Sequence, residues 1–204
     1  MESDELALTM TGSAPEVEGS GYAGESVQIL ERAIAGDRDA FDQIVLRYER
    51  RVLMTAWRLL GRREDAQDAA QEVFLRLYRY MRHFDKNRAL LPWLYRMTVN
   101  VCHDLHRKRR REDALAAGEV DQEKLAYDPA IEITRSEQRQ IIEAALEKLT
   151  EKERAAVVLR DIEGLATRDV AGILGSSETT VRSQISTARV KIRKFVDTLE
   201  RKRS

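Results

Sequence analysis

A single cysteine, Cys102, leaves nothing for an internal disulfide among 204 residues, so no cross-linked scaffold holds this chain and a reducing compartment is the expected setting. Prolines number three and glycines ten, and most of the glycines fall outside or at the ends of apolar-periodic stretches, which predicts an all-helical protein. No apolar run approaches the roughly 18 residues of a membrane span, and no segment repeats at a fixed period, which excludes a membrane-crossing helix and a solenoid. The opening MESDELALTMTGSAPEVEG is acidic where a secretory leader would be basic. The mature chain is therefore expected to begin near Met1, to insert in no membrane and to stay in the cytoplasm. Also missing are a G-x-x-x-x-G-K-[ST] phosphate loop, a nucleophile elbow and an H-E-x-x-H pair, so no enzyme activity and no cofactor is expected. Cys102, His103 and His106 lie close together on a helix, but no second ligand pair occurs, and a buried thiol beside polar histidines explains them better than a metal does.

Net charge is absent as well, since 35 Lys and Arg balance 35 Asp and Glu, yet the charges are segregated. Residues 1–26 hold six acids and no base, whereas 27–111 hold nineteen bases against eleven acids. Residues 112–134 carry seven acids and one base, and 182–204 carry eight bases and two acids. Two basic blocks separated by acidic segments suggest two cationic surfaces rather than one neutral body.

The apolar pattern divides the chain in the same way. Residues 1–25 read as a disordered acidic arm. Val27, Leu30 and Ile34 mark a short helix closed by Gly36. Asp39 is placed to cap a longer one through Phe41, Ile44, Val52, Ala56 and Leu59 that stops at Gly61, and a third runs from about Asp65 to Met81. Pro92 suits the first turn of a fourth helix that runs to about Arg111. Residues 112–134 form a flexible acidic linker. A second unit, 135–204, begins with Ile141, Ile142 and Leu146, has a capping box at Thr150-x-x-Glu153, and ends in helices at about 167–174 and 177–200.

Each unit offers a surface suited to nucleic acid. In the fourth helix Leu94, Met97, Val101 and Leu105 form an apolar stripe, at about 100° per residue, while Arg96, Asn100, His103, Arg107 and Arg110 occupy the opposite side. Trp93 and Arg111 lie beside them, and Arg107 to Arg111 are five consecutive bases. A positive strip about 30 Å long follows several phosphates, with Trp and Asn able to stack on and read bases. In the second unit, Thr167 opens a short helix, Gly175 turns the chain and Ser177 caps the last helix. There Val181, Ile185, Ala188, Ile192 and Leu199 share one side and Arg182, Ser183, Ser186, Thr187 and Lys194 the other, the layout of a helix-turn-helix that places short polar residues and one Arg in a major groove.

The stretches DAQDAAQEVFLRLYRYMRHFD (65–85) and LLPWLYRMTVNVCHDLHRKRRR (90–111) resemble the second conserved domain of bacterial sigma factors, and LTEKERAAVVLRDIEGLATRDVAGILGSSETTVRSQISTARVKIRK (149–194) resembles their fourth. With only an acidic linker between them, the chain is similar to the extracytoplasmic-function (ECF) group of the sigma-70 family, of the RpoE-like kind. The resemblance implies that residues 26–111 form sigma domain 2 and 135–204 sigma domain 4. It implies docking on the clamp helices of the polymerase largest subunit through Asp65, Asp68, Gln71, Glu72 and Phe74. The second unit would dock on the flap region of the second-largest subunit. For −10 recognition and strand opening it implies Lys86, Asn87, Arg88, Trp93, Arg96, Asn100, His103, Arg107, Lys108, Arg110 and Arg111. For −35 recognition it implies Thr179, Thr180, Arg182, Ser183, Gln184, Ser186, Thr187 and Arg189. Promoter DNA, core RNA polymerase and an anti-sigma factor are the implied partners. Many relatives differ at Ser176, Gln184 and Ser186-Thr187, so a reader is implied without its target sequence.

Two other readings remain at this point. A stand-alone helix-turn-helix regulator would use only the second unit and bind a two-fold operator as a dimer. An adaptor would bind proteins through helical faces and be indifferent to changes at Arg96 and Arg182.

Overall fold

A computed structural model describes residues 23–85, 88–115 and 133–203; the expected arm and linker lie almost wholly outside these segments. Eight α-helices and no strands occur among the described residues: α1 (Ala23–Ile34), α2 (Arg38–Leu60), α3 (Arg63–Tyr80), α4 (Leu90–Leu115), α5 (Ile133–Glu147), α6 (Glu151–Val157), α7 (Thr167–Leu174) and α8 (Glu178–Arg203).

Helix α2 is capped by Asp37 and not, as expected, by Asp39. Gly36, with φ +97°, reverses the chain after α1 and leaves Asp37 extended, so that its carboxylate accepts from the Ala40 N–H at 3.1 Å. That backbone hydrogen bond, helped by the Arg32 guanidinium 2.8 Å away, holds the Asp37 carboxyl below its ordinary value. Asp39 falls in the first turn, where it only complements the helix dipole. Gly61 ends α2 in the left-handed conformation that side chains avoid. Ile44, Val52, Ala56 and Leu59 of α2 pack on Ala66, Ala69, Val73 and Leu77 of α3 and on Leu94, Met97 and Val101 of α4. The alanines let the axes approach closely, and each fully buried Val or Leu contributes about 1.5–3 kcal/mol.

Helix α1 begins at Ala23, inside the expected arm, and α4 runs to Leu115, beyond the expected end at Arg111. The α4 extension follows from helix-favouring Arg and Glu, with Lys108 and Glu112 paired one turn apart. In the second unit the expected capping box is present: Thr150 Oγ1 accepts from Glu153 N, and Glu153 Oε2 accepts from Thr150 N at 2.9 Å. Lys191 of α8 also donates to Glu153 at 2.7 Å; although burial pushes the Glu153 carboxyl up, these partners leave it below its usual value. After α6 the chain passes through a π-type turn over Val158–Ile162, with Glu163 N–H donating to Val158 O.

The two helical units expected from the sequence are both present, and their buried residues meet in one continuous core. Helices α6 and α7 lie against α2 and α4. Arg154 of α6 donates to Leu146 O in the last turn of α5, to Leu149 O just beyond it and, at 2.8 Å, to Leu59 O at the end of α2. Tyr95 lies off the expected stripe of α4 yet is 1% exposed, because Glu163 of the second unit accepts its hydroxyl at 2.6 Å. Burial first, and then the Glu163 carboxylate, pushes the Tyr95 phenol far above its usual value. Val99 and Cys102, on the same side of α4, are buried too, and burial pushes the Cys102 thiol up.

Candidate nucleic-acid interface

The last helix is positioned by its N-terminal connection. Gly175, at φ +58°, turns the chain out of α7, and Ser177 Oγ accepts from Thr180 N at 3.1 Å. Val181, Ile185 and Ala188 anchor the inner side of α8, which leaves Thr179, Arg182, Ser183, Ser186, Thr187 and Arg189 exposed on the outer side. Thr180 is exposed but partly committed to the cap, its hydroxyl 2.8 Å from that of Ser177, and Gln184 is half-buried. Arg182 reaches back one turn to Glu178 at 2.5 Å. Arg189 is held by both oxygens of Asp161 at 2.7 and 2.9 Å, hydrogen bonds that raise its already high pKa.

Between α8 and the segment before α7 lies an open groove of about 550 Å³, lined by Arg160, Thr167, Arg182, Ser186, Arg189 and Lys194 among others. Sequence reasoning missed Arg160. It sits in the apolar run VVLRDI, and only the π-type turn brings it to the reader helix. The groove concentrates cations around short hydroxyl side chains, an arrangement that suits a phosphate backbone with base edges beside it.

The strip on α4 is less open than its periodicity suggests. Trp93 is 8% exposed, its ring tilted against Phe84 with centroids 4.8 Å apart. Arg96 and Asn100 are half-buried, and burial lowers the Arg96 pKa. His103 is half-buried as well; burial holds it below its ordinary value, opposed by the Glu151 carboxylate of the second unit. His106 Nδ1 lies 3.5 Å from that same carboxylate. Arg107, Lys108, Arg110 and Arg111 are exposed, with Arg107 3.2 Å from Asp104 and Lys108 3.8 Å from Glu112. Arg88 stands 3.4 Å from Asp85, while Lys86 and Asn87 lie outside the described residues. The strip therefore has an open basic end, a packed aromatic end and one edge beneath the second unit.

On α3, Asp68 and Gln71 are exposed and Phe74 is half-buried against the core. Asp65 accepts from Arg109 at 2.7 Å and Glu72 from Arg76 at 2.8 Å. Leu75 and Tyr78, 45% and 55% exposed, continue the Asp68–Gln71 face at helical spacing. Sequence reasoning did not single them out, although two large apolar residues on an otherwise polar outer face were a signal for a protein contact. Among the described residues no three Cys, His, Asp or Glu side chains gather as metal ligands, and no helix is long and apolar enough to cross a membrane.

The chain matches the families described as Sigma-70 region 2 over residues 44–112 and Sigma-70, region 4 over residues 139–192. It is 35% identical to the RNA polymerase sigma-H factor of Pseudomonas aeruginosa over 184 residues, which cover 85% of this chain and 95% of that protein. To the ECF RNA polymerase sigma-E factor of Escherichia coli it is 32% identical, again covering 85% and 95% of the two chains. Among solved structures, that of the sigma factor RpoE with the anti-sigma factor NepR from Bartonella quintana gives a TM-score of 0.67 at 25% identity, over 77% of this chain and 96% of that one. CnrH with the cytosolic domain of CnrY gives 0.64 at 24%, over 85% and 97%, a likeness of fold.

Proposed function

The chain belongs to the sigma-70 family, in its extracytoplasmic-function group, and on that footing we propose how its surfaces divide the work of starting transcription. It is an RNA polymerase sigma factor: it binds core polymerase, directs it to −10 and −35 promoter elements and promotes strand opening. The observation that carries this is the pairing, in one chain and in order, of a region 2 match and a region 4 match, each bearing an exposed basic helix. A stand-alone regulator would need only the second.

The Asp68–Gln71 face of α3, with Glu72, Asp65 and Phe74 beside it, docks on the polymerase clamp helices, and Leu75 and Tyr78 add apolar area. On α4, Arg107, Lys108, Arg110 and Arg111 grip phosphates. Arg96, Asn100 and the Lys86–Arg88 loop hold the unstacked −10 strand, with Trp93 supporting them from its packed position against Phe84, and these contacts offset the few kcal/mol that strand separation costs. On α8, Arg182, Ser183, Ser186 and Thr187 face bases, with Thr179, Thr180, Gln184 and Arg189 around them. The protein has no chemistry of its own; phosphodiester synthesis belongs to the polymerase, and it acts in the cytoplasm, where that enzyme works. An anti-sigma factor, the class of partner bound to the similar Bartonella protein, holds it inactive by covering the polymerase-facing surface. Run-off transcription with purified core polymerase, with and without this protein, on a library of upstream sequences tests the reading. Enrichment of two separated motifs supports it, and transcripts independent of the protein refute it.

A further inference from the structure

The junction between the units contains a site that promoter reading does not use. Glu163 leaves the π-type turn of the second unit, and its side chain is only 9% exposed. Its carboxylate accepts from Thr55 Oγ1 at 3.0 Å, Arg58 Nη1 at 2.8 Å and the Tyr95 hydroxyl at 2.6 Å. All three donors come from the first unit, two from α2 and one from α4. Thr55 and Tyr95 are buried when the units are closed, and the three side chains together read a carboxylate by two hydroxyls and a guanidinium.

We propose that Thr55, Arg58 and Tyr95 form a carboxylate receptor on the first unit, that Glu163 is its occupant, and that this contact latches the two units together over one edge of the α4 strip. Two consequences follow from the charge. A buried carboxylate deprived of these donors would be strongly unfavourable, so Glu163 is either seated or released to water, and the junction opens in one step. The pair also gives up much of its attraction to desolvation, so the latch adds only modestly to the Arg154–Leu59 contact and the shared apolar core that hold the same junction. While it is closed, α6 covers the His103 and His106 flank through Glu151, and the spacing of the two basic surfaces is fixed. The latch itself stands independently of the sigma assignment; its effect on promoter access rests on that reading.

The test uses the full chain with dyes on Gln43→Cys of α2 and Lys152→Cys of α6, both exposed positions, and reads energy transfer between the units. Glu163→Gln, which keeps the size and removes the charge, is expected to lower the closed-to-open ratio by about tenfold, or about 1.4 kcal/mol. Tyr95→Phe, which removes one hydroxyl and keeps the ring packing, moves transfer the same way by less. The double variant opens by less than the sum of the two single changes, since both weaken one contact. Unchanged transfer in Glu163→Gln with native helicity overturns the latch, as does full additivity of the two changes. If Glu163→Gln loses helicity, Tyr95→Phe decides: unchanged transfer overturns the proposal, and lowered transfer supports it. Free-protein affinity for a promoter fragment rises in the opened variant, because the closed fraction no longer withholds the strip. Run-off transcription separates the two claims: variants that open while neither they nor the parent transcribe establish the latch and refute the sigma reading.

Discussion

Arg182 provides a test that separates base reading from mere attraction. It stands at the N-terminal end of α8, 64% exposed, one turn beyond Glu178 with which it pairs. A guanidinium that forks onto guanine O6 and N7 discriminates by about 1–3 kcal/mol, or roughly 5- to 150-fold. In the free protein the exposed pair with Glu178 stabilises that rotamer by only about 0–1 kcal/mol, so little of the gain is lost in releasing it. Arg182→Ala in polymerase holoenzyme is therefore expected to weaken binding to the preferred promoter by about 1–3 kcal/mol. It should also flatten preference at one base pair of the −35 element, with the others unchanged. Glu178→Gln, which removes the competing charge, should strengthen binding by no more than about fivefold. The assay is competition binding against a library varied at each −35 position, repeated over a salt series. A loss spread evenly over all positions, with the salt slope reduced by about one, would make Arg182 a phosphate contact and refute the base-reading argument.

Three further outcomes are expected. Asp161→Asn frees the Arg189 guanidinium from its bidentate partner, so duplex affinity should rise and the slope of log K against log salt should steepen by about 0.9; an unchanged slope would mean that Arg189 meets no phosphate. Arg154→Ala leaves carbonyls at the ends of α5 and α2 without their buried donor and should cost about 2–4 kcal/mol in urea unfolding. Arg154→Lys should recover only part, because one ammonium cannot fork to three oxygens. Glu153 is held below its ordinary value of 4.5, so the stability it contributes is complete above that pH and is lost as pH falls through its lower folded value. Glu153→Gln should flatten the fall in unfolding free energy below pH 4.5, and an identical slope in both proteins would contradict the assignment.

The local signals in this chain were strong wherever one segment sufficed to produce them. The Thr150 capping box, the turns at Gly61 and Gly175, the Ser177 cap and the 167–174 helix all depend on neighbours within a few residues, and the structure has each of them. The Asp37 cap was harder to see because Asp39 satisfies the same spacing rule. The difference is the positive φ of Gly36, which leaves Asp37 outside the helix and Asp39 within it. For the candidate site, outward-facing residues of α8 were legible from periodicity, since burying Val181, Ile185 and Ala188 forces Arg182 and Ser186 outward. Arg160 was not legible, because the π-type turn in which it sits departs from the regular helical period and leaves no mark in composition.

The helical class, the two basic units, their order and the family were legible in the residues, since these depend on hydrophobic period, cap chemistry and motifs contained within each unit. That the units close on one another, that Trp93 packs against Phe84 and that His103 lies beneath the second unit emerges from the folded chain alone. The reason is that Glu163 and its donors Thr55, Arg58 and Tyr95 are separated by 108, 105 and 68 positions. No periodicity links residues so far apart. A carboxylate that looks like an ordinary solvated charge in the sequence becomes a buried ligand only when the fold brings its three donors around it.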